Sequence, residues 1–217
     1  RMSIVLTHGY FLEEDEKEQK IMRPYPPLGL LYISAFLEKN EIKHEVFDST
    51  FSSEVKWFEF IQQHQPKAIA FYTNLMTKVK ILELIEKIKG NDLLKDTKIL
   101  MGGPDVTYNW EEYLKHGADF LVIGEGEETF LEFVGQLNGE QNYEAIPGLA
   151  FYNEKGGVVK NQPRIKIKAV DDLPFPNRKK IDLSQYLKVW KDHHGKSTLN
   201  ISTQRGCPYT CQWCSTA

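Results

Sequence analysis

The chain has 217 residues, 41% of them hydrophobic and 26% charged, which is the composition of a globular protein with room for one full domain and part of another. A formal net charge of −3 excludes a general pull toward nucleic acid or acidic membrane surfaces. The longest apolar stretch, Leu28 to Leu37, is too short to span a bilayer.

Short apolar runs alternate with helical patterns along the first 140 residues. Ser3–Thr7 reads as a strand, followed by a long loop in which the charge run Glu13–Glu18 is most simply a solvated segment. Leu28–Asn40 reads as a helix that is apolar on most faces and therefore largely buried. Lys43–Asp48 is a second strand and Glu54–Gln63 a second helix. Ala68–Tyr72 is a wholly apolar strand of the kind parallel sheets use. The third helix, Val79–Lys89, places Ile81, Leu82, Leu84, Ile85 and Ile88 along one side. Lys98–Met101 and Phe120–Ile123 supply the last two strands, each followed by a helix, Tyr108–His116 and Glu127–Leu137. The alternation predicts an α/β fold with a five-stranded, doubly wound, flavodoxin-like parallel sheet over residues 1–140.

The pattern then changes. Ile146–Asn153 and Gly157–Asn161 flank the turn Glu154-Lys155-Gly156-Gly157 and read as a hairpin, with outward charges at Lys155, Lys160, Arg164, Lys166 and Lys168. Hairpin and proline-bearing linker (Asp171 to Asn177) occupy 141–181. From 182 onward a short helix, Leu183–Trp190, and a strand, Thr198–Thr203, lead into a cysteine loop.

That loop, Gly206-Cys207-Pro208-Tyr209-Thr210-Cys211-Gln212-Trp213-Cys214, holds all three cysteines of the chain. Thiolates spaced Cys-x3-Cys-x2-Cys can occupy three corners of a 4Fe–4S cubane and leave the fourth iron open to bind and reduce a small molecule. Zinc is the main competitor. It normally takes four protein ligands and there is no fourth cysteine; His193 or His194 could supply one, but both precede the strand that leads into the cysteines. A disulfide accords poorly with an odd cysteine count and with an N-terminus lacking a secretory pattern, and the same features imply the reducing cytoplasm.

A doubly wound sheet binds ligands at its carboxyl edge, where strand order reverses. The loops there are Tyr72-Thr73-Asn74-Leu75, Gly102-Gly103-Pro104 and Gly124-Glu125-Gly126. Glycine permits close backbone approach, yet it also serves simply to turn the chain. Neither glycine loop matches the dinucleotide fingerprint, so a nicotinamide domain is not expected.

The cysteine spacing, with Trp213 before the third cysteine, resembles the cluster motif of the radical S-adenosylmethionine (SAM) superfamily. The order of segments narrows the resemblance to its cobalamin-binding subclass: Tyr25-Pro26-Pro27-Leu28-Gly29, Gly102-Gly103-Pro104, Gly124-Glu125-Gly126-Glu127, Asp171-Asp172-Leu173-Pro174-Phe175-Pro176 and Arg205-Gly206-Cys207-Pro208. The related methylthiotransferases carry three further cysteines, and this chain has none before Cys207. The resemblance implies a 4Fe–4S cluster on Cys207, Cys211 and Cys214, SAM on its open iron, and cobalamin at the edge loops. The reaction implied is methylation of an unactivated carbon through a 5′-deoxyadenosyl radical. Ring-forming or rearranging chemistry, and a docking module without cobalamin, are the alternatives. A small-molecule or peptide substrate and a reductant for the cluster are the implied partners, with neither nucleic acid nor membrane.

Many cobalamin domains also carry Asp-x-His-x-x-Gly after the first strand. Here that place reads Leu6-Thr7-His8-Gly9-Tyr10-Phe11, leaving His8, or Asn74 and Leu75, as candidates beneath the cobalt, with a hydrogen-bonded loop role as the plainer reading of His8. A radical SAM barrel extends over roughly 200 residues, whereas the sequence stops shortly after Cys214. The expectation is therefore an N-terminal portion whose barrel is truncated after its first strand and which is inert by itself.

Overall fold

A computed structural model of the chain describes residues 4–137, 139, 141–207, 209, 211 and 212. Parallel strands β1 (Ile4–His8), β2 (Glu45–Phe47), β3 (Ala68–Tyr72), β4 (Lys98–Gly102) and β5 (Phe120–Val122) pair in the order β2-β1-β3-β4-β5. The helices are α1 (Glu16–Ile21), α2 (Leu28–Lys39), α3 (Glu54–His64), α4 (Lys78–Lys89), α5 (Pro104–Lys115), α6 (Glu127–Leu137) and α7 (Leu183–His194).

Side-chain alternation along the strands builds two cores, one on each face. Val5, Ile69, Phe71, Ile99, Met101 and Leu121 pack with Trp57, Ile61, Ile81, Leu84 and Tyr113 from α3, α4 and α5. Ile4, Leu6, Ala68, Leu100, Phe120 and Val122 pack with Leu30, Leu37, Phe130 and Phe133 from α2 and α6. The buried Trp57 indole donates to Thr7 Oγ1 at 3.0 Å, and Thr7 donates to the Phe47 carbonyl at 2.9 Å, so its polar atom is satisfied where the core meets the β1–β2 edge.

Four expectations require correction. The sheet does not stop at five strands: the hairpin, β6 (Leu149–Tyr152) and β7 (Val158–Lys160), continues it as antiparallel strands after β5, giving seven among the described residues. An aromatic cluster of Phe120, Phe133, Tyr143 and Phe151 holds it there, with ring centroids 4.6–6.1 Å apart. The acidic run is not all loop. Asp15 accepts from the Lys17 and Glu18 amides and caps α1, so the negative residues of its first turn lie at the favourable end of the helix. Helix α5 begins at Pro104, four residues before the apolar pattern starts, because proline is preorganised for a first helical turn. Residues 198–203 form no strand: the described residues offer them no neighbouring strand to pair with.

Instead, the segment beyond β7 is fastened to the α/β core by side chains. Asn177 donates from its backbone to the Leu31 carbonyl at 3.0 Å and from Nδ2 to Glu38 at 2.8 Å. Helix α7 lies over the β1–α2 loop, with Trp190 donating to the Pro24 carbonyl at 2.8 Å and Tyr25 against its ring at 5.1 Å. Tyr186, also on α7 and buried, donates its hydroxyl to Asp48 Oδ2 at 2.7 Å. Asp48 Oδ1 accepts from His8 Nε2 at 2.8 Å and from the Thr50 amide at 3.1 Å. Burial alone would raise the Asp48 pKa, but the hydrogen bonds from His8, Tyr186 and Thr50 outweigh it and hold the carboxyl below its usual range. A carboxylate depressed in the folded state contributes stability above its unfolded pKa, near 4, and that contribution fades as pH falls through the folded value. Tyr186→Phe should therefore cost about 1–3 kcal/mol at neutral pH in urea unfolding, and the deficit should shrink below about pH 4. A deficit that does not change with pH would rule out the Asp48 carboxylate as the acceptor that matters.

Candidate functional site

The carboxyl ends of β1, β3, β4 and β5, with the first turns of α2 and α6, enclose a cleft of about 250 Å³. Its floor and walls are apolar: Leu6, Ala70, Leu100 and Val122 from the sheet, Leu30 and Ile33 from α2, and Phe130 from α6. Its rim is backbone, from Gly102, Gly103, Gly124 and Gly126. Two glycines are demanded by the geometry. Gly103 has φ +117°, and a Cβ there would stand 2.2 Å from the Thr73 carbonyl oxygen. Gly29 lets α2 rest against the ring of Tyr72, which a Cβ would meet at 2.9 Å. Tyr72 itself lines the cleft, and burial raises its phenol pKa.

Of the residues singled out in the sequence, Tyr72, Gly102, Gly103, Gly124, Glu125 and Gly126 come together around this cleft. Thr73 is buried beside Gly103, its amide donating to the Gly102 carbonyl at 2.8 Å. Asn74 shapes the turn into α4, its Oδ1 accepting from the Met76 and Thr77 amides. Leu75 and Met76 stand on that turn 77% and 70% exposed, an apolar ledge at the sheet edge. Pro104 serves as the start of α5.

His8 is placed differently. It is buried, its Nε2 bonds to Asp48 at 2.8 Å, and its Nδ1 accepts from the Tyr10 amide at 3.2 Å and faces the Ser49 hydroxyl at 3.0 Å. Both ring nitrogens are thus engaged by this chain's own groups, and His8 is not part of the cleft wall.

The cleft has contributors that sequence reading did not assign. Glu127, buried at the start of α6, pairs with Arg205, whose guanidinium lies 5.0 Å from the Tyr32 ring centroid. Arg205 comes from the segment that leads to the cysteines, and no local pattern connects it with a glutamate 78 positions earlier (205 − 127). Leu30, Ile33 and Phe130 complete the wall, and none of them was singled out from the sequence.

Cys207 and Cys211 are exposed, free thiols, while Trp213 and Cys214 lie outside the described residues. Among the described residues no group of His, Cys, Asp and Glu is arranged to hold a metal ion. His194 is occupied in bonding the carbonyls of Met22 and Ile21, at 2.9 and 3.1 Å, and His193 faces the Val189 carbonyl within α7. No helix among the described residues is long and apolar enough to cross a membrane.

The B12 binding domain family model matches residues 20–134, more than half of the chain. The chain belongs to that family. It is 31% identical over 198 residues to an uncharacterized methyltransferase of Pyrococcus horikoshii, a match covering 88% of this chain and 41% of the relative. An anaerobic magnesium-protoporphyrin IX monomethyl ester cyclase of Synechocystis is 24% identical over 199 residues, covering 87% of this chain and 38% of that protein. The fold is that of the cobalamin-dependent SAM radical enzyme OxsB, solved with aqua-cobalamin bound: the TM-score is 0.67 at 19% identity, over 81% of this chain and 24% of that one. The chain thus spans about two fifths of the length of these curated relatives.

The glycine rim yields a direct test. Gly103→Ala combines positive-φ strain with a backbone clash and should cost at least about 2 kcal/mol in urea unfolding. Gly124→Ala, at φ +87° with nothing within 4 Å of the new Cβ, should cost only about 1 kcal/mol. Equal losses would show that the Thr73 contact carries no weight.

Proposed function

We propose that this chain is the cobalamin-presenting portion of a radical SAM enzyme, most simply a methyltransferase acting on an unactivated carbon. The observation that carries this reading is the meeting of two features: a B12-family cleft, and a cysteine loop whose Arg205 forms part of that cleft's wall. The residues present fit cobalamin. The rim glycines keep side chains away from the sheet edge, so a broad macrocycle can approach the backbone. Leu75 and Met76 offer apolar surface beside it, and the apolar cleft suits an aromatic appendage.

In this reading Gly102, Gly103, Gly124 and Gly126 contact the cofactor by backbone, Tyr72 and Leu75 pack on it, and Cys207, Cys211 and Cys214 ligate a 4Fe–4S cluster. When bound, cobalamin supplies methyl-transfer chemistry, and the cluster with SAM supplies radical chemistry. The chain's own contribution is placement: the sheet edge orients one cofactor, and the segment from α7 carries Arg205, two residues before Cys207, to the same edge. The cyclase among the relatives keeps ring-forming chemistry as the second reading. A cytoplasmic setting follows from cysteines that must remain reduced to bind iron.

Anaerobic reconstitution with iron, sulfide and hydroxocobalamin should leave about one cobalt and about four irons per chain after desalting. Replacing Cys207, Cys211 and Cys214 with alanine should remove the iron and spare the cobalt. Iron without cobalt would sink the cobalamin assignment, and zinc as the sole bound metal would sink the cluster.

A further inference from the structure

The chain reaches the cysteines through a series of side-chain anchors. Ser197 donates to the Leu187 carbonyl at 3.0 Å, and Asn200 donates to the Pro26 carbonyl at 2.9 Å while its own carbonyl accepts from Arg178. Among the described residues the last anchor is Arg205. Its guanidinium meets Glu127, which is only 4% exposed in the first turn of α6, and it lies over Tyr32 on α2. Gly206, at φ +72°, then turns the chain outward to the exposed Cys207. Separating such a pair would leave a carboxylate buried without its partner, so the loop is held at this point more firmly than an exposed salt bridge would hold it. Tyr32 adds a cation–π contact and favours arginine over lysine. Glu127 and Arg205 both also face the cofactor cleft.

We propose that Glu127 and Arg205 are positioning residues: the pair fastens the cysteine loop to the lip of the cleft and links the cleft's occupancy to the placement of Cys207. This rests on the cofactor reading only for the second half. The ion pair stands on its own geometry, whereas the link requires that something fill the cleft. Linkage is reciprocal, so a ligand that touches Arg205 tightens the loop to the same degree that a fastened loop improves binding of the ligand.

Limited trypsin digestion of the whole chain reads the latch directly, because cleavage after Arg205 requires its side chain to leave Glu127 and enter the protease. Cleavage at Arg205–Gly206, followed by mass spectrometry and normalised to cleavage after Lys155 in the exposed hairpin turn, should rise roughly tenfold or more in Glu127→Gln. Arg205→Lys, still a trypsin site, should show a smaller rise, and it preserves the test if Glu127→Gln fails to fold by circular dichroism. Hydroxocobalamin should slow the same cleavage in the wild type, with bound cobalt measured separately by absorbance after desalting.

Unchanged cleavage in both variants would overturn the latch even where cobalt is retained. Retained cobalt with no change in wild-type cleavage would overturn the link. Wild-type protein that binds no cobalt but shows the variant effect would support the latch and count against the cofactor reading instead.

Discussion

Parallel strands β1, β3, β4 and β5 exchange their hydrogen bonds within the sheet and are covered on both faces, by α3, α4 and α5 on one side and α2 and α6 on the other. With both faces consumed by core, backbone groups can meet a ligand only where strands end. Every candidate contact follows from this constraint. The loops at the carboxyl edge must turn sharply from strand to helix, and the Gly103–Thr73 approach shows how little space the turn leaves. The cleft lies where the first turns of α2 and α6 meet the strand ends, with Gly29 and Gly126 contributing no side chain to fill it.

The remainder of the chain attaches to this edge by a different kind of physics. From Asn177 onward few residues join the main cores; Tyr186 and Trp190 are buried, but each is also directed by a polar bond to a partner more than 130 positions away. Buried hydrogen bonds contribute modestly when made and are expensive to leave unmade, so they specify position more than they add stability. Asp48 gathers three such bonds at the end of β2, and in doing so it ties up His8. A histidine that looked available at a strand end is instead part of the device that seats α7. Farther along, Glu127 and Arg205 repeat the pattern beside the cleft.

Much of the architecture was legible in advance. The wholly apolar run Ala68–Tyr72, the one-sided periodicity of α4 and the boundaries of α6 follow from strand and helix periods that any buried element must obey. The rim glycines were found because positive φ and close backbone approach leave few other residue types. Less legible were the elements whose placement depends on a partner. The hairpin was readable as a hairpin, but its docking on β5 depends on Phe120, Phe133 and Tyr143 meeting Phe151. Residues 198–203 carry strand-forming character, yet they have no strand beside them among the described residues and are pinned instead by Asn200.

The sequence by itself determined the parallel α/β core, the glycine-edged loops and the cysteine spacing, because each depends on local periodicity or on a short run of residue types. Only the tertiary structure decided which side chains share a site. It placed Arg205, two residues before Cys207, against Glu127 and Tyr32 in the cleft wall, and it committed His8 to Asp48. Those outcomes rest on contacts between residues far apart in the chain, where the cost of burying a charge or a polar atom without a partner selects one arrangement that no local pattern encodes.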